Sequence, residues 1–259
     1  MIQKVEAVVL RSMEYRESSK ILTILTREFG ALGVIVKGAR GTKNKFGASL
    51  EPLAHINTVL YVKESRELQL LSDAELISSF PHIQQDFEKL FLSLSILELT
   101  YIVTRHSERS DPLFDSLVEV LHAIENATKS VILLFYYFET RVIHLLGFQP
   151  AIASCSSCGK RIGELMNQGV RRVIFEYDRG SFQCGGCLPV HDANVSFDIR
   201  VLALWEQISG SNVKEIQDLT WNPEMQGDMD QIITRYLEHH QPEMRTLRAK
   251  QMFDSLRDE

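Results

Sequence analysis

The sequence contains little cysteine, no long apolar segment and no signal for export. Four cysteines occur among 259 residues, and no run of about 18 uncharged apolar residues is present that could span a bilayer. The first residues, Met1 to Glu6, lack the basic and then apolar pattern of a signal peptide. These absences predict a cytoplasmic protein without a membrane segment.

Catalytic signatures are absent as well. The chain has no P-loop, no His-Glu-x-x-His zinc protease helix and no Gly-x-Ser-x-Gly nucleophile turn, and its eight histidines are scattered. With 44% hydrophobic residues the chain can still bury a core, and its length is sufficient for two or three modules. The sequence therefore favours a folded multidomain protein that is not an enzyme.

Positive charge is concentrated near the amino terminus. The whole chain has a formal net charge of −6, which by itself argues against a nucleic-acid partner. Residues 1–50, however, contain nine lysines and arginines against four acids, a local charge of +5, so the remaining residues carry −11. Such an asymmetry favours one binding face for a polyanion on an otherwise acidic body.

All four cysteines fall in two Cys-x-x-Cys pairs, Cys155 with Cys158 and Cys184 with Cys187. This spacing lets the two thiolates of each pair converge on one ion, and the 25 residues between the pairs leave room for a small β-hairpin. The pattern predicts one zinc ion held by four thiolates. Two local disulfides, a redox pair and four unrelated thiols are the alternatives, and His191 is a rival ligand.

The predicted zinc ion is structural. A zinc ion with four protein ligands has no open position for a water nucleophile, so it does not support hydrolysis. Its binding free energy instead contributes to folding, because the unfolded chain has no preformed site.

Residues 1–79 have the pattern of short β-strands separated by turns. Five segments are short and rich in β-branched residues. Five strands in about 80 residues favour a small closed barrel of the OB type, because closure removes exposed sheet edges. An SH3-like barrel or a sandwich would fit the same pattern. The predicted strands are residues 5–10, 20–26, 31–36, 55–62 and 68–71.

From Phe80 onward, hydrophobic residues recur at three- and four-residue steps, which is typical of amphipathic helices. Asp111 with Pro112 is typical of a helix start, and Gly147 of a helix end. The sequence thus predicts an α+β multidomain fold: an N-terminal OB-fold β-barrel followed by an all-α helical domain with an inserted four-cysteine zinc module. The predicted domains are the barrel at 1–79, the first helical part at 80–149, the zinc module at 150–190 and the second helical part at 191–259.

A strongly basic loop follows the third predicted strand. Lys37 to Gly47 contains four cations, three glycines and no acid, a composition suited to following a phosphate backbone. A solvated surface loop is the alternative, and Phe46 is either a base-stacking ring or a plug of the barrel end. The candidate DNA-binding residues are Lys37, Arg40, Lys43 and Lys45, with Arg16, Lys20 and Arg27 extending the patch.

Taken in order, several short motifs resemble the RecO family of bacterial recombination mediators. The resemblance covers nearly the whole chain, and the order of the motifs is more specific than any one of them. The motifs are Glu6–Arg11, Lys20–Thr26 leading to Phe29 and Gly30, Val36–Arg40, Leu50–Leu53, Leu145–Pro150 and the cysteine quartet.

The resemblance implies a function in DNA repair and homologous recombination through the RecF pathway. Family members bind single- and double-stranded DNA, anneal complementary strands and, with RecR, help to load RecA onto DNA covered by single-stranded-DNA-binding protein. A nucleoid-associated location in the bacterial cytoplasm follows. The resemblance assigns the basic loop to the DNA-binding face and the four cysteines to zinc. Gly41 departs from the family pattern, which often has a basic residue there, and this shifts the expected contact toward Lys43 and Lys45.

Two other functions are compatible with the same residues. A zinc-ribbon scaffold that binds only protein would make the basic loop incidental. A zinc-containing nuclease or nucleotide-processing enzyme would need an exchangeable water on the metal, which an all-cysteine ligand set disfavours.

Overall fold

The computed structural model describes residues 1–41, 45–63, 65–105, 111–187, 196–243 and 248–257. The chain divides into two compact units: Met1–Val131 with Leu247–Glu259, and Ile132–Thr246. The domain boundaries expected at residues 79, 149 and 190 stay predictions. Within the described ranges, no helix is both long and apolar enough to cross a bilayer.

The first unit begins with a closed five-stranded barrel. Its strands are β1 (Ile2–Tyr15), β2 (Ser19–Thr26), β3 (Gly30–Val36), β4 (His55–Tyr61) and β5 (Leu68–Ser78). They follow one another around the barrel in the order β1-β2-β3-β5-β4. β1 pairs with β4 to close it, and β3 and β5 run parallel while the other neighbours are antiparallel. This arrangement confirms the predicted OB-type barrel and excludes the sandwich.

Alternate residues of the strands fill the barrel interior, because successive side chains point to opposite faces. The register of β1 shifts between Val9 and Arg11, a bulge that helps this long strand to bend. At Gly33 of β3 an added Cβ would lie 2.8 Å from Leu68 Cδ2 on β5, so a side chain there would require the end of the Leu68 side chain to move. Interior residues that are fully buried include Ala7, Leu22, Ile24, Val34, Val36, Ile56 and Leu60.

Four α-helices and a short 3-10 helix (Gly47–Leu50) complete the described part of the first unit. The Glu125 carboxylate accepts hydrogen bonds from the backbone N–H groups of His82 at 3.0 Å and Ile83 at 2.9 Å, and so caps the first helix. The last helix packs on the second, where the Ala249 N–H donates to Glu98 at 3.2 Å. The helices are α1 (Pro81–Gln85), α2 (Phe87–Thr104), α3 (Asp111–Glu125) and α9 (Arg248–Arg257).

The second unit combines helices with a small three-stranded sheet. Its elements are α4 (Ile132–Leu145), α5 (Ile162–Asn167), β6 (Arg172–Glu176), β7 (Ser181–Cys184), β8 (Phe197–Asp198), α6 (Ile199–Gly210), α7 (Val213–Ile216) and α8 (Gln226–His240). α4 packs on α6, α7 and α8, and the sheet has the order β7-β6-β8. Trp205 is fully buried beside Phe175 and Tyr236, with ring centroids 5.7 and 5.8 Å away.

Two helix limits that the sequence indicated are confirmed. α3 begins at Asp111. Beyond the end of α4, Gly147 has φ +80° and its N–H donates to the His144 carbonyl at 3.0 Å, which is the left-handed turn expected of a C-terminal cap.

Gly180 should be intolerant of a side chain. It has φ +56°, and an added Cβ would lie 2.5 Å from the Tyr236 hydroxyl and 3.2 Å from Pro150 Cα. We expect Gly180→Ala to destabilise the second unit by roughly 2–4 kcal/mol, from backbone strain and overpacking together. Denaturant unfolding measures the change.

Gly163→Ala is the matched control for that substitution. Gly163 lies inside α5 and has nothing within 4 Å of an added Cβ, so alanine should stabilise the helix by about 0.5–1 kcal/mol. If Gly180→Ala unfolded at the same denaturant concentration as the parent, the close packing at Gly180 would be refuted.

Candidate metal centre and basic surface

The four cysteine sulfurs lie together in the second compact unit. All Sγ atoms are within 4.8 Å of one another, and Cys184 Sγ lies 3.9 Å from Cys158 Sγ and 3.6 Å from Cys187 Sγ. A tetrahedral zinc ion with Zn–S bonds of about 2.3 Å holds its sulfurs roughly 3.8 Å apart. The cluster therefore has the spacing of a tetrahedral thiolate site.

Backbone hydrogen bonds hold the two turns that present these thiols. The Cys155 N–H donates to the Lys160 carbonyl at 2.9 Å, and the Cys187 N–H donates to the Cys184 carbonyl at 2.8 Å. Cys184 is the last residue of β7, which pairs with β6 as the hairpin expected between the two cysteine pairs. The hairpin thus brings the second cysteine pair next to the first.

The pKa values of Cys155 and Cys187 are shifted in opposite directions. Burial raises the pKa of the Cys155 thiol, but N–H groups of Cys158, Cys184 and Ser157 donate to its sulfur and lower the pKa to about 6. The neighbouring sulfurs of Cys184 and Cys158 raise the pKa of Cys187 to about 12. Adjacent thiolates repel one another, and a bound divalent cation removes that repulsion.

Two of the alternatives for the four cysteines do not fit the structure. A disulfide requires sulfurs about 2.05 Å apart, and all four cysteines are free, so the disulfide interpretation is wrong. The clustering likewise excludes four unrelated thiols. The residues fit a metal ion with Cys155, Cys158, Cys184 and Cys187 as ligands. His191 lies outside the described residues, and its role as a rival ligand stays a prediction.

The carboxylate of Glu176 lies next to the cysteine cluster and is not indicated by the sequence pattern. Glu176 accepts hydrogen bonds from Ser181 at 2.9 Å, Gln183 at 3.0 Å and Ser156 at 3.2 Å. The Ser181 hydroxyl is the largest influence that keeps the pKa of Glu176 below its usual value. Because Ser156 follows Cys155, this carboxylate ties the first cysteine turn to the hairpin. Scattered Ser and Gln positions give no sequence signal for such a network.

Five predicted DNA-binding residues lie near one end of the barrel. Lys20 pairs with Val36 across β2 and β3, so it is next to the start of the basic loop. The Arg40 N–H donates to the Ser18 carbonyl at 3.2 Å, which joins this loop to the β1–β2 turn. We call Arg16, Lys20, Lys37, Arg40 and Lys45 the basic surface. Lys43 lies outside the described residues.

Carboxylates accompany three cations of the basic surface. Arg40 Nη2 lies 2.8 Å from Glu14, Lys20 Nζ lies 2.6 Å from Glu51, and Lys45 Nζ lies 3.0 Å from Asp73. The three carboxylates are 55–68% exposed. Lys37 is exposed, and no ion pair is found for it within the described ranges. The loop therefore carries less unpaired charge than its sequence indicates.

Arg27 is not brought together with the basic surface. It follows the last residue of β2, seven residues and roughly 23 Å along the strand from Lys20. Its guanidinium lies 2.5 Å from Asp115 and 3.6 Å from Glu6, and 5.0 Å from the centre of the Phe114 ring. These contacts join the barrel to α3.

Phe46 is a plug and not an exposed stacking ring. Only 7% of the residue is exposed, and it belongs to the barrel core with Leu50 and Ala39. Lys45 Nζ lies 5.1 Å from the centre of its ring. The ring therefore fixes the end of the basic loop against the barrel.

These features define a class: an OB-barrel protein with further helices and a group of four cysteines that could hold one metal ion. The chain matches the family described as Recombination protein O N terminal over residues 1–80, and Recombination protein O C terminal over residues 84–248. It belongs to the RecO family.

Two relatives illustrate the degree of similarity. The chain is 30% identical over 261 residues to the DNA repair protein RecO of Chloroherpeton thalassium, which covers 99% of both chains. It is 35% identical over 196 residues to the DNA repair protein RecO of Chlorobium luteolum, which covers 75% of this chain and 74% of that one.

Proposed function

We propose that this protein is a DNA-binding mediator of DNA repair and homologous recombination in the RecF pathway. It binds single- and double-stranded DNA and anneals complementary strands. With RecR it assists the loading of RecA onto DNA coated by single-stranded-DNA-binding protein, in the cytoplasm at the nucleoid. Membership of the RecO family supports this proposal.

The observation that carries the proposal is the basic surface at one end of the OB barrel. The carboxylates of its ion pairs are 55–68% exposed, and ion pairs in contact with solvent are worth only about 0.2–1 kcal/mol. A DNA phosphate can therefore displace Glu14, Glu51 and Asp73 from their cations at little cost. Each cation that binds a phosphate also releases condensed counterions, which favours binding at low salt.

Binding of this kind has no sequence preference. Lysine and arginine contacts to phosphate position a strand but carry no base information. A protein that must act wherever single-stranded DNA appears needs this property. Zinc would be held by the four cysteines and would stabilise the hairpin between them, without a position for a reacting water. The function that we propose is therefore not enzymatic.

A scaffold that binds only proteins is the second candidate function. The ion pairs at Arg40, Lys20 and Lys45 favour it, because they leave two cations of the basic surface, Lys37 and Arg16, for which the described residues offer no ion pair. On this view the loop is simply solvated.

Fluorescence anisotropy of a labelled single-stranded oligonucleotide, titrated with the protein at several salt concentrations, separates the two functions. We expect binding that weakens steeply with salt, since each phosphate contact on a single strand contributes a slope of roughly −0.7 in log K against log salt. Annealing of the complement, coated with single-stranded-DNA-binding protein, should accelerate in the same samples. Absence of binding at low salt would favour the scaffold.

A further inference from the structure

The two cysteine pairs belong to different pieces of local structure. Cys155 and Cys158 lie in a turn before α5, whereas Cys184 ends β7 and Cys187 follows it. A metal ion that binds all four sulfurs therefore joins a turn to a hairpin, and it is released when the two separate. A group that holds the turn on the hairpin without the metal should increase the affinity for the metal.

Backbone hydrogen bonds hold the first cysteine turn on one strand of the hairpin. The Ser156 N–H donates to the Phe182 carbonyl at 2.8 Å, and the Cys184 N–H donates to Cys155 Sγ at 3.3 Å. Both partners lie on β7. In the part of the chain that the structure describes, no backbone hydrogen bond joins this turn to β6.

The side chain of Glu176 supplies the connection to β6. Glu176 is the last residue of β6 and pairs with Ser181 of β7. Its Oε2 accepts from the Ser156 hydroxyl at 3.2 Å and from the Ser181 hydroxyl at 2.9 Å, and its Oε1 accepts from the Gln183 amide at 3.0 Å. One carboxylate thus joins the first cysteine turn to both strands of the hairpin.

The close partners of Glu176 are neutral donors. The ion pair found for it among the described residues is with Arg179, at 3.9 Å and with an arginine side chain that is 75% exposed, so it contributes little. Only 22% of the Glu176 side chain is exposed, and a carboxylate so far removed from water needs hydrogen bonds to its oxygens. Donors from the turn and from β7 provide them, which is an arrangement that fixes positions.

We propose that Glu176 is a positioning residue of the metal centre. It holds the Cys155 turn against the hairpin, and so it raises the affinity for the metal ion and slows its release. Supporting groups around metal ligands commonly account for about 10–100-fold in metal affinity. The proposal concerns the metal alone and does not depend on DNA binding.

Transfer of zinc from the loaded, full-length protein to an excess of a coloured chelator measures metal release, and competition with the chelator measures affinity. Glu176→Gln keeps the size of the side chain but leaves one acceptor oxygen, so it cannot satisfy all three donors. We expect zinc affinity about 10–100-fold lower, chiefly through faster release. At saturation, cobalt(II) should give the same tetrahedral thiolate spectrum in variant and parent, because the four sulfurs are unchanged.

Ser156→Ala removes the link between Glu176 and the cysteine turn. Ser156 is exposed, so the substitution does not disturb the core. If Glu176 acts through Ser156, the variant with both substitutions should release zinc about as fast as Glu176→Gln alone, whereas independent effects would multiply.

Two further variants serve as controls. Gln183→Ala removes a contact within the hairpin only, so it should release zinc more slowly than Ser156→Ala does. Glu164→Gln removes one negative charge from an exposed position on α5 in the same unit and should release zinc like the parent.

Three results would overturn the proposal. If Glu176→Gln and Ser156→Ala both retained zinc like the parent, the carboxylate would not support the metal. If their effects multiplied and Gln183→Ala released zinc as fast as Ser156→Ala, Glu176 would stabilise the hairpin without positioning the turn. If the parent bound no zinc, the metal centre itself would be wrong, although the proposed function in DNA binding would stand.

Discussion

Replacing Cys155 and Cys158 by serine should abolish metal binding and unfold the hairpin between the cysteine pairs. Serine hydroxyls are not deprotonated at neutral pH and do not replace thiolates as zinc ligands. Structural zinc contributes roughly 10–16 kcal/mol of apparent binding free energy in small zinc domains, which is comparable to the total stability of a typical domain, about 5–15 kcal/mol. We expect zinc per chain to fall from about one to near zero.

Loss of the hairpin should also destabilise the rest of the second unit. Phe175 on β6 packs beside Trp205 and Tyr236, with centroids 5.7 and 5.5 Å away. Unfolding of β6 would remove these contacts and expose Trp205 to water. A red shift of tryptophan emission, together with rapid hydrogen exchange over residues 151–187, would report this change.

The barrel should survive the same substitution. Its core is made by residues of the first compact unit, such as Leu22 and Ile56, which do not depend on the cysteines. Ser157→Ala is the matched control, because it lies in the same turn and leaves all four sulfurs in place. Normal zinc content in the double serine variant would show that the four cysteines do not form the site.

The cysteine site was accessible to sequence reasoning because its spacing is local. Two Cys-x-x-Cys pairs can be recognised in the sequence without knowledge of the fold. A hairpin between them is a short connection that brings the second pair next to the first. The barrel was accessible for a similar reason, since strand periodicity and turn residues are local. β5 nevertheless extends to Ser78, well past the expected Leu71, because Ser72, Asp73 and Glu75 interrupt its apolar pattern.

The ion pairs of the basic surface could not be predicted from the sequence. The carboxylates of Glu14, Glu51 and Asp73 approach their cations from 26 to 31 residues away in sequence. Such pairs depend on the register of strands and the path of a loop, which composition does not contain. Arg27 shows the same limit, because only the packing of α3 brings Asp115 to it.

If the basic surface binds DNA, reversing its charge should change both the affinity for DNA and the salt dependence of binding. Charge reversal at Lys37, Arg40, Lys43 and Lys45 should weaken single-stranded DNA binding by on the order of 100-fold or more at low salt. It should also flatten the salt dependence by roughly 2.8 in log K against log salt, if all four contact phosphates. The anisotropy titration described above measures both quantities.

A matched pair of double variants separates a local contact from a general loss of positive charge. Lys37→Glu with Arg40→Glu changes the net charge by the same amount as Lys63→Glu with Arg66→Glu. Lys63 follows Val62, whose carbonyl accepts from the amino terminus of the chain, so it lies beside the start of β1, whereas Arg40 contacts Arg16 beyond the end of β1. We expect the first double variant to flatten the slope of log K against log salt by roughly 1.4, and the second double variant to change it little.

Removing the competing acids should have the opposite effect. Glu14→Gln, Glu51→Gln and Asp73→Asn together keep the shapes of the side chains but release Arg40, Lys20 and Lys45. If phosphate and carboxylate compete for the same cations, this triple variant should bind DNA more tightly than the parent and with a steeper salt dependence. Unchanged affinity in the triple variant and in the charge-reversal variant would mean that DNA does not contact this end of the barrel.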